Sequence, residues 1–298
     1  HGCKDEYAEF IIDHKDILST KYIVPYIDKD LKDRLIEKDS FYQICEEYNL
    51  NYPKTHVFNK GDEVVDFGFN YPVILKASDS VTFFQHEFPG MKKAYIIQNA
   101  DEFKQITDEI YSHGYEKSLI VQDFIPGDDS HMRVLTCYSD QNGKVKMMCL
   151  GHVLLEEHTP KGIGNHAAII TEYDEEVMTK FKNFLESINY TGYSNFDIKY
   201  DARDNKYKVF EINLRQGRSN YYVTGSGNNI AKYVVEDRVE NKELELKIQK
   251  EPFFWRVIPR HVVYKFVKNK DLVNKCKQLV SEGKEATSFG YKFDLSGN

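Results

Sequence analysis

Tyr7, Phe10, Ile11 and His14 fall at helical spacing, which predicts a helix over 4–14. A second helical pattern carries Phe41, Ile44, Cys45 and Tyr48, with Asp39 and Ser40 just ahead of it, and Pro53 stops it. Between them, 22–27 reads as a short strand or an extended linker. Beyond Pro53 the rhythm becomes that of strands, at 72–76, 95–97 and 119–123, with an amphipathic helix over 101–111 built on Phe103, Ile106 and Ile110. Two hairpins follow. One joins 132–138 to 144–155 through Asp140-Gln141-Asn142-Gly143, and the other joins 192–200 to 207–213. A helix over 175–188 separates them, and another lies near 271–282. Helices set between hairpins make an α+β chain with a mixed sheet.

Composition narrows the partners. At 298 residues the chain is long enough for about two domains. Its 40 Lys and Arg against 47 Asp and Glu give a net charge of −7, which argues against a nucleic-acid binder. No apolar run reaches the ~18 residues of a membrane span, and no basic-then-apolar leader opens the chain. Five cysteines, odd in number and without a Cys-x-x-Cys pair, indicate neither a disulfide framework nor a zinc site. They fit a reducing, cytoplasmic setting as small buried hydrophobes.

Three segments carry candidate chemistry. In the second hairpin, Glu211 and Asn213 stand two apart on a strand and share a face, and Asp197 lies on the partner strand. Such hard oxygen ligands suit Mg²⁺ beside phosphate; a merely polar strand face is the plain alternative. Lys76 ends an apolar strand and Lys38 precedes a helix, both suited to phosphate, although surface lysines are common. The strand 119–123 runs into Phe124-Ile125-Pro126-Gly127-Asp128-Asp129, a strand exit able to read an adenine edge, with a carboxylate placed for ribose hydroxyls. Taken alone, it is a turn with polar decoration.

In this order the three segments resemble the ATP-grasp superfamily of carboxylate–amine ligases, over roughly 29–227. The resemblance implies two α+β lobes gripping ATP. It assigns Lys38 and Lys76 to phosphates, Gln122, Asp123, Phe124 and Ile125 to adenine, and Asp129 to ribose. It assigns Asp197, Glu211 and Asn213 to one or two Mg²⁺, with Mn²⁺ as a substitute, and makes Arg215 the oxyanion donor. Two departures stand out: the flap after Lys76 is glycine-poor, and Gln122 replaces an acidic hinge residue.

Segments 131–134, 157–165 and 213–220, with the tail 255–259, look most like D-aspartate-ligase-type enzymes of cell-wall cross-bridge synthesis. That likeness implies 1–28 as the end of an N-terminal Rossmann-like domain, 29–125 as the first ATP-grasp lobe, and 126–298 as the second lobe with the metal site. Both termini are expected to be cut. The expected reaction forms an amide through an acyl phosphate, from a small carboxylate, with an acidic amino acid favoured, and an amine acceptor such as a cell-wall precursor. Arg133, His158, Lys161, Asn165 and Arg218 are candidates for the substrate, and Arg218 joins Arg215 and Lys76 in the catalytic set. Two rivals remain: a bicarbonate-activating enzyme of the biotin-carboxylase or carbamoyl-phosphate type, and a non-catalytic nucleotide-binding protein.

Overall fold

The computed structural model of the chain describes residues 2, 4–63, 66–159, 162 and 164–288, without the side chains of residues 38, 39, 80 and 81. It divides into two compact units, one of residues 52–126 and one of residues 1–51 with 127–298.

The larger unit begins with helices α1 (Asp5–Asp13), α2 (Lys15–Leu18), α3 (Lys29–Ile36) and α4 (Lys38–Glu47). The stretch 22–27 forms no strand and is a linker. Helix α3 was not legible in the pattern, because of its inward residues one is Lys32. That lysine is buried by its ion pairs to Asp13 and Asp33. Helix α4 buries Phe41, Ile44 and Cys45, as its periodicity requires. Its N-cap is Glu37, so Lys38 opens the helix instead of preceding it, and Asp39 and Ser40 lie in its first turn.

The smaller unit is an antiparallel sheet of β1 (Thr55–Phe58), β2 (Val73–Ala77), β3 (Tyr95–Ile97) and β4 (Leu119–Asp123), in the order β1-β4-β2-β3. The short helix α5 (Ser80–Phe83) follows β2, and α6 (Ala100–Ser112) lies between β3 and β4. Asn99 caps α6 by accepting from the Glu102 N–H. Phe103 and Ile110 of α6 join Val73, Leu75, Val121 and Leu119 in one core. Alternation along the strands sends Ile74, Lys76, Ile120 and Gln122 to the opposite face.

The rest of the larger unit centres on a second sheet, in the order β12-β11-β7-β6-β5-β8-β9. Its strands are β5 (Met132–Ser139), β6 (Val145–Glu156), β7 (His166–Glu172), β8 (Gly192–Asp201), β9 (Lys206–Asn213), β10 (Lys247–Ile248), β11 (Phe254–Arg256) and β12 (Glu285–Thr287). The small strand β10 pairs parallel with β6 at Met147 and Met148, before the β7 pairing begins at Leu150. Helix α7 (Glu175–Ser187) packs Phe181 and Phe184 on Phe196. Helices α8 (Tyr221–Gly225) and α9 (Ile230–Val234), the latter prolonged by a π-helical turn over 235–239, supply Tyr222, Val223 and Tyr233 to a core with Val134, Tyr138, Val153 and Trp255. Helices α10 (Arg260–Phe266) and α11 (Lys270–Ser281) form a further core with Leu154, Ile170 and Phe254. Cys45, Cys137, Cys149 and Cys276 are buried and unpaired, which is the hydrophobic role expected of them. No described helix is long and apolar enough to cross a membrane.

Candidate active site

The β8–β9 hairpin brings the oxygen-bearing side chains together. Asp197 stands directly opposite Glu211, and Asn195 opposite Asn213. Paired residues in an antiparallel ladder project from one face, so Asp197, Glu211 and Asn213 share it. Phe210 has no opposite number, because the register passes from Asp197–Glu211 to Ile198–Val209. This bulge re-aims the end of β9 without breaking the pair. Asn213 Nδ2 donates to Asp197 Oδ2 at 3.2 Å, and Arg215 Nη2 donates to Asn213 Oδ1 at 3.4 Å. Burial, and then the charge of Glu211, push the Asp197 carboxyl well above the usual carboxylate range.

Asp197 is desolvated by burial and crowded by the charge of the exposed Glu211, which a divalent cation relieves, and hard oxygens suit Mg²⁺. The donor set therefore fits such an ion, once the Asn213 amide turns its oxygen toward it. Among the described residues, no three His, Cys, Asp or Glu side chains gather as a ligand set, so the amide is needed to complete this one.

Arg215 follows the hairpin and is tied down by Asp5 at 2.7 Å and by the carbonyl of Gln216 at 3.0 Å, while its buried Nε has no partner among the described residues. Arg218 is exposed and pairs with Glu157 at 2.6 Å. Beneath this loop runs a buried polar network. The Tyr222 hydroxyl lies 2.9 Å from both Thr136 Oγ1 and the Cys149 carbonyl, and Thr136 donates to Asn195 Oδ1 at 2.8 Å.

Asp129 sits in a short helical turn that Asp128 closes by accepting from Ser130 N. Asp129 Oδ2 accepts from Glu156 N and from His158 Nε2, each at 2.9 Å. That bond raises the His158 pKa. Asn165 closes the loop that His158 begins, through Glu157 N–H to the Asn165 carbonyl at 2.8 Å. Lys161 lies outside the described residues, and Lys38 contributes only its backbone to the description.

Arg133 is not an open cation. It is buried in the sheet, paired with Glu172 and set over the Tyr207 ring. Burial pushes the Glu172 carboxyl up, but His152 and Arg133 outweigh it and hold the group low. This is a neutralised pair joining β5 to β7.

In the smaller unit, Lys76 and Gln122 leave the same face of the sheet, the one α6 does not cover. Gln122 is buried and donates to Thr55 Oγ1 at 3.0 Å. The Asp123 N–H is taken by the Lys54 carbonyl at 2.9 Å, and Ile125 is buried beyond it. Phe124 continues the strand exit between them.

Three side chains escaped the sequence reading. Glu156 and His166 face each other at the ends of β6 and β7. Burial, helped by the charge of Asp129, pushes the Glu156 carboxyl up to about 7, and burial holds the His166 imidazole down to about 4. Lys199, two residues beyond Asp197, is lowered by burial too. Their only signal in the sequence is a polar residue ending an apolar run, because the pairing of β6 with β7 passes through two register shifts.

No family model matches the chain. A curated D-aspartate ligase from Enterococcus faecium (strain Aus0004) is 45% identical over 305 residues, covering 99% of this chain and 72% of that protein. Among solved structures, the L-amino acid ligase from Bacillus licheniformis superposes with a TM-score of 0.57 at 17% identity, covering 81% of this chain and 55% of that one. The ADP complex of an N5-carboxyaminoimidazole ribonucleotide synthetase gives 0.62 at 11%, covering 93% and 68%. The D-alanine–D-alanine ligase from Bacillus anthracis, complexed with ATP, gives 0.53 at 12%, covering 78% and 74%. The chain thus spans about half the length of the L-amino acid ligase. At these low identities the structural likeness shows the ATP-grasp fold alone. The sequence relation goes further: the chain belongs to the D-aspartate ligase family of ATP-dependent, C–N bond-forming ligases.

Proposed function

We propose that the protein joins D-aspartate to an amine, activating one aspartate carboxyl as an acyl phosphate at the expense of ATP, with a cell-wall precursor as the amine acceptor. The observation that carries this reading is the convergence of Asp197, Glu211 and Asn213 on one hairpin face, with Arg215 hydrogen-bonded to Asn213. Asp197, Glu211 and Asn213 would hold one or two Mg²⁺, or Mn²⁺ in its place, which neutralise phosphate charge.

The chain's own groups do the rest. Lys38 and Lys76 take phosphate oxygens as point charges. Gln122 and the backbone from Asp123 through Phe124 to Ile125 read adenine. Asp129 accepts from ribose hydroxyls; its Oδ2 is already fixed by Glu156 N and His158, which orients the free oxygen. Arg215 donates to the oxyanion formed when the amine attacks the acyl carbon. Arg218 holds the second carboxylate of aspartate, and His158, Lys161 and Asn165 come from the loop that excludes water. Of the two arginines open to the carboxylate role, Arg133 is buried in its pair with Glu172, whereas Arg218 is exposed and its pair with Glu157 lies at the surface, where a substrate carboxylate exchanges for it.

A phosphate-release assay with Mg²⁺ and ATP tests the reading. D-aspartate should stimulate release about tenfold or more above alanine, and Arg218→Ala should abolish that preference. Glu211→Ala should lower turnover at least about a hundredfold without loss of fold. Equal stimulation by alanine and aspartate would reject the acidic substrate, and near-normal turnover in Glu211→Ala would reject the ligase site.

A further inference from the structure

The site contains a carboxylate that none of these roles uses. Glu156 ends β6 directly opposite His166, the first residue of β7. Its side chain is only 18% exposed, and its Oε1 lies 3.7 Å from His166 Nε2. The same Nε2 lies 3.9 Å from Asp197 Oδ1, and the His166 side chain is 7% exposed. Neither distance is a hydrogen bond. His166 meets its other neighbour through Nδ1, 3.5 Å from Ser219 Oγ. A largely desolvated carboxylate and a buried imidazole nitrogen thus aim at one spot beside the metal ligands, and among the described residues no hydrogen bond ends on the Glu156 carboxylate. His158 and Lys199 attract Glu156 only through space: His158 hydrogen-bonds Asp129, and the Lys199 ammonium donates to the Gly127 carbonyl at 3.4 Å. Burying such a carboxylate is costly unless a donor arrives to meet it.

The chemistry limits what can arrive. In its ionised form, which an arriving cation favours, Glu156 accepts and does not donate, so the ligand carries N–H or O–H groups and positive charge. Phosphate is excluded by repulsion. Mg²⁺ takes oxygen ligands, so an imidazole in the pair disfavours it. An ammonium group meets both requirements, since it is cationic and offers three donors.

We propose that Glu156 and His166 form a binding point for a substrate ammonium group beside the reacting carboxyl. This rests on the ligase reading. Two substrates carry such a group, the α-ammonium of the activated amino acid and the amine of the acceptor.

Hydroxylamine separates the possibilities, because it is neutral at assay pH and traps the acyl phosphate as a hydroxamate. Its nitrogen bonds to the acyl carbon as the C–O bond to phosphate breaks; phosphate leaves with the electron pair, and the nitrogen's proton goes to water. Hydroxamate formation is measured with aspartate and with succinate, which lacks the amino group, in the wild-type protein and in Glu156→Gln. Amide formation with lysine as the amine probe is measured in parallel. If the site holds the amino acid, the wild type prefers aspartate to succinate about tenfold or more, and Glu156→Gln loses that preference. If it holds the acceptor, hydroxamate formation is unchanged and amide formation with lysine falls about tenfold or more. Glu156→Asp, which keeps the charge, restores part of whichever effect is seen. The proposal is overturned if neither quantity moves, or if aspartate and succinate hydroxamates fall together, which would tie Glu156 to nucleotide, metal or folding. Failure of the wild type to make any hydroxamate would instead sink the ligase reading itself.

Discussion

Asp201 shows how single charges hold the hairpin that carries the proposed metal ligands. Its side chain is fully buried at the end of β8, and it accepts from Arg203 Nη2 at 2.8 Å and from Lys208 Nζ at 2.5 Å. The Arg203 bond is the main reason its carboxyl stays far below the usual range. A carboxyl whose pKa is lowered on folding stabilises the protein above its unfolded pKa, and that contribution fades as acid approaches the folded value. Asp201→Asn should therefore cost about 2–4 kcal/mol at neutral pH, because Arg203 loses its carboxylate and the largely buried Lys208 keeps only Asp204, at 3.1 Å. The gap between variant and wild type should narrow as pH falls below about 4, as read from urea melts at several pH values. A gap independent of pH would show that the pair contributes nothing as a charge interaction. At this scale the sequence was informative where partners are local. Asp197, Glu211 and Asn213 lie on one hairpin, so period-two alternation and a turn suffice to put them together. Glu156 and His166 depend on a register shifted twice between β6 and β7, and no local pattern encodes that.

At the scale of elements, the β8–β9 hairpin is tied to α8 by hydrogen bonds. Tyr222 is fully buried, and its hydroxyl reaches Thr136 and the Cys149 carbonyl, while Thr136 holds Asn195 behind Asn213. Tyr222→Phe should destabilise the protein by about 1–3 kcal/mol, since it strands buried acceptors while leaving the ring's packing intact. Calorimetry on the variant measures this. A melting temperature equal to the wild type would mean that the network carries no stability. The long, regular elements were readable: α6, α7, α11 and both hairpins follow strict periodicities and end on caps or turns. The short ones were not. The strand β1 has three half-buried residues and one buried one, and gains its identity only by pairing with β4. Likewise β11 exists because β7 and β12, distant in sequence, flank it.

At the scale of the molecule, the proposed ligands have a thermodynamic consequence that does not depend on catalysis. Anything bound to the folded chain and not to the unfolded one stabilises it by RT ln(1 + [L]/Kd), or about 2.7 kcal/mol at a hundredfold excess over Kd. Mg²⁺ with a non-hydrolysable ATP analogue should therefore raise the unfolding midpoint. The metal term is separable. A chelator should remove most of that shift, and Glu211→Gln should reproduce the effect of the chelator, because the loss of one carboxylate leaves Asp197 to hold the ion with only two amides beside it. Lys76→Ala should reduce the shift even with Mg²⁺ present. Thermal melts of the wild type and the two variants, each with analogue alone, with analogue and Mg²⁺, and with chelator added, decide the matter. A midpoint that rises equally in wild type and Glu211→Gln would remove Glu211 from the metal site, whatever its effect on turnover.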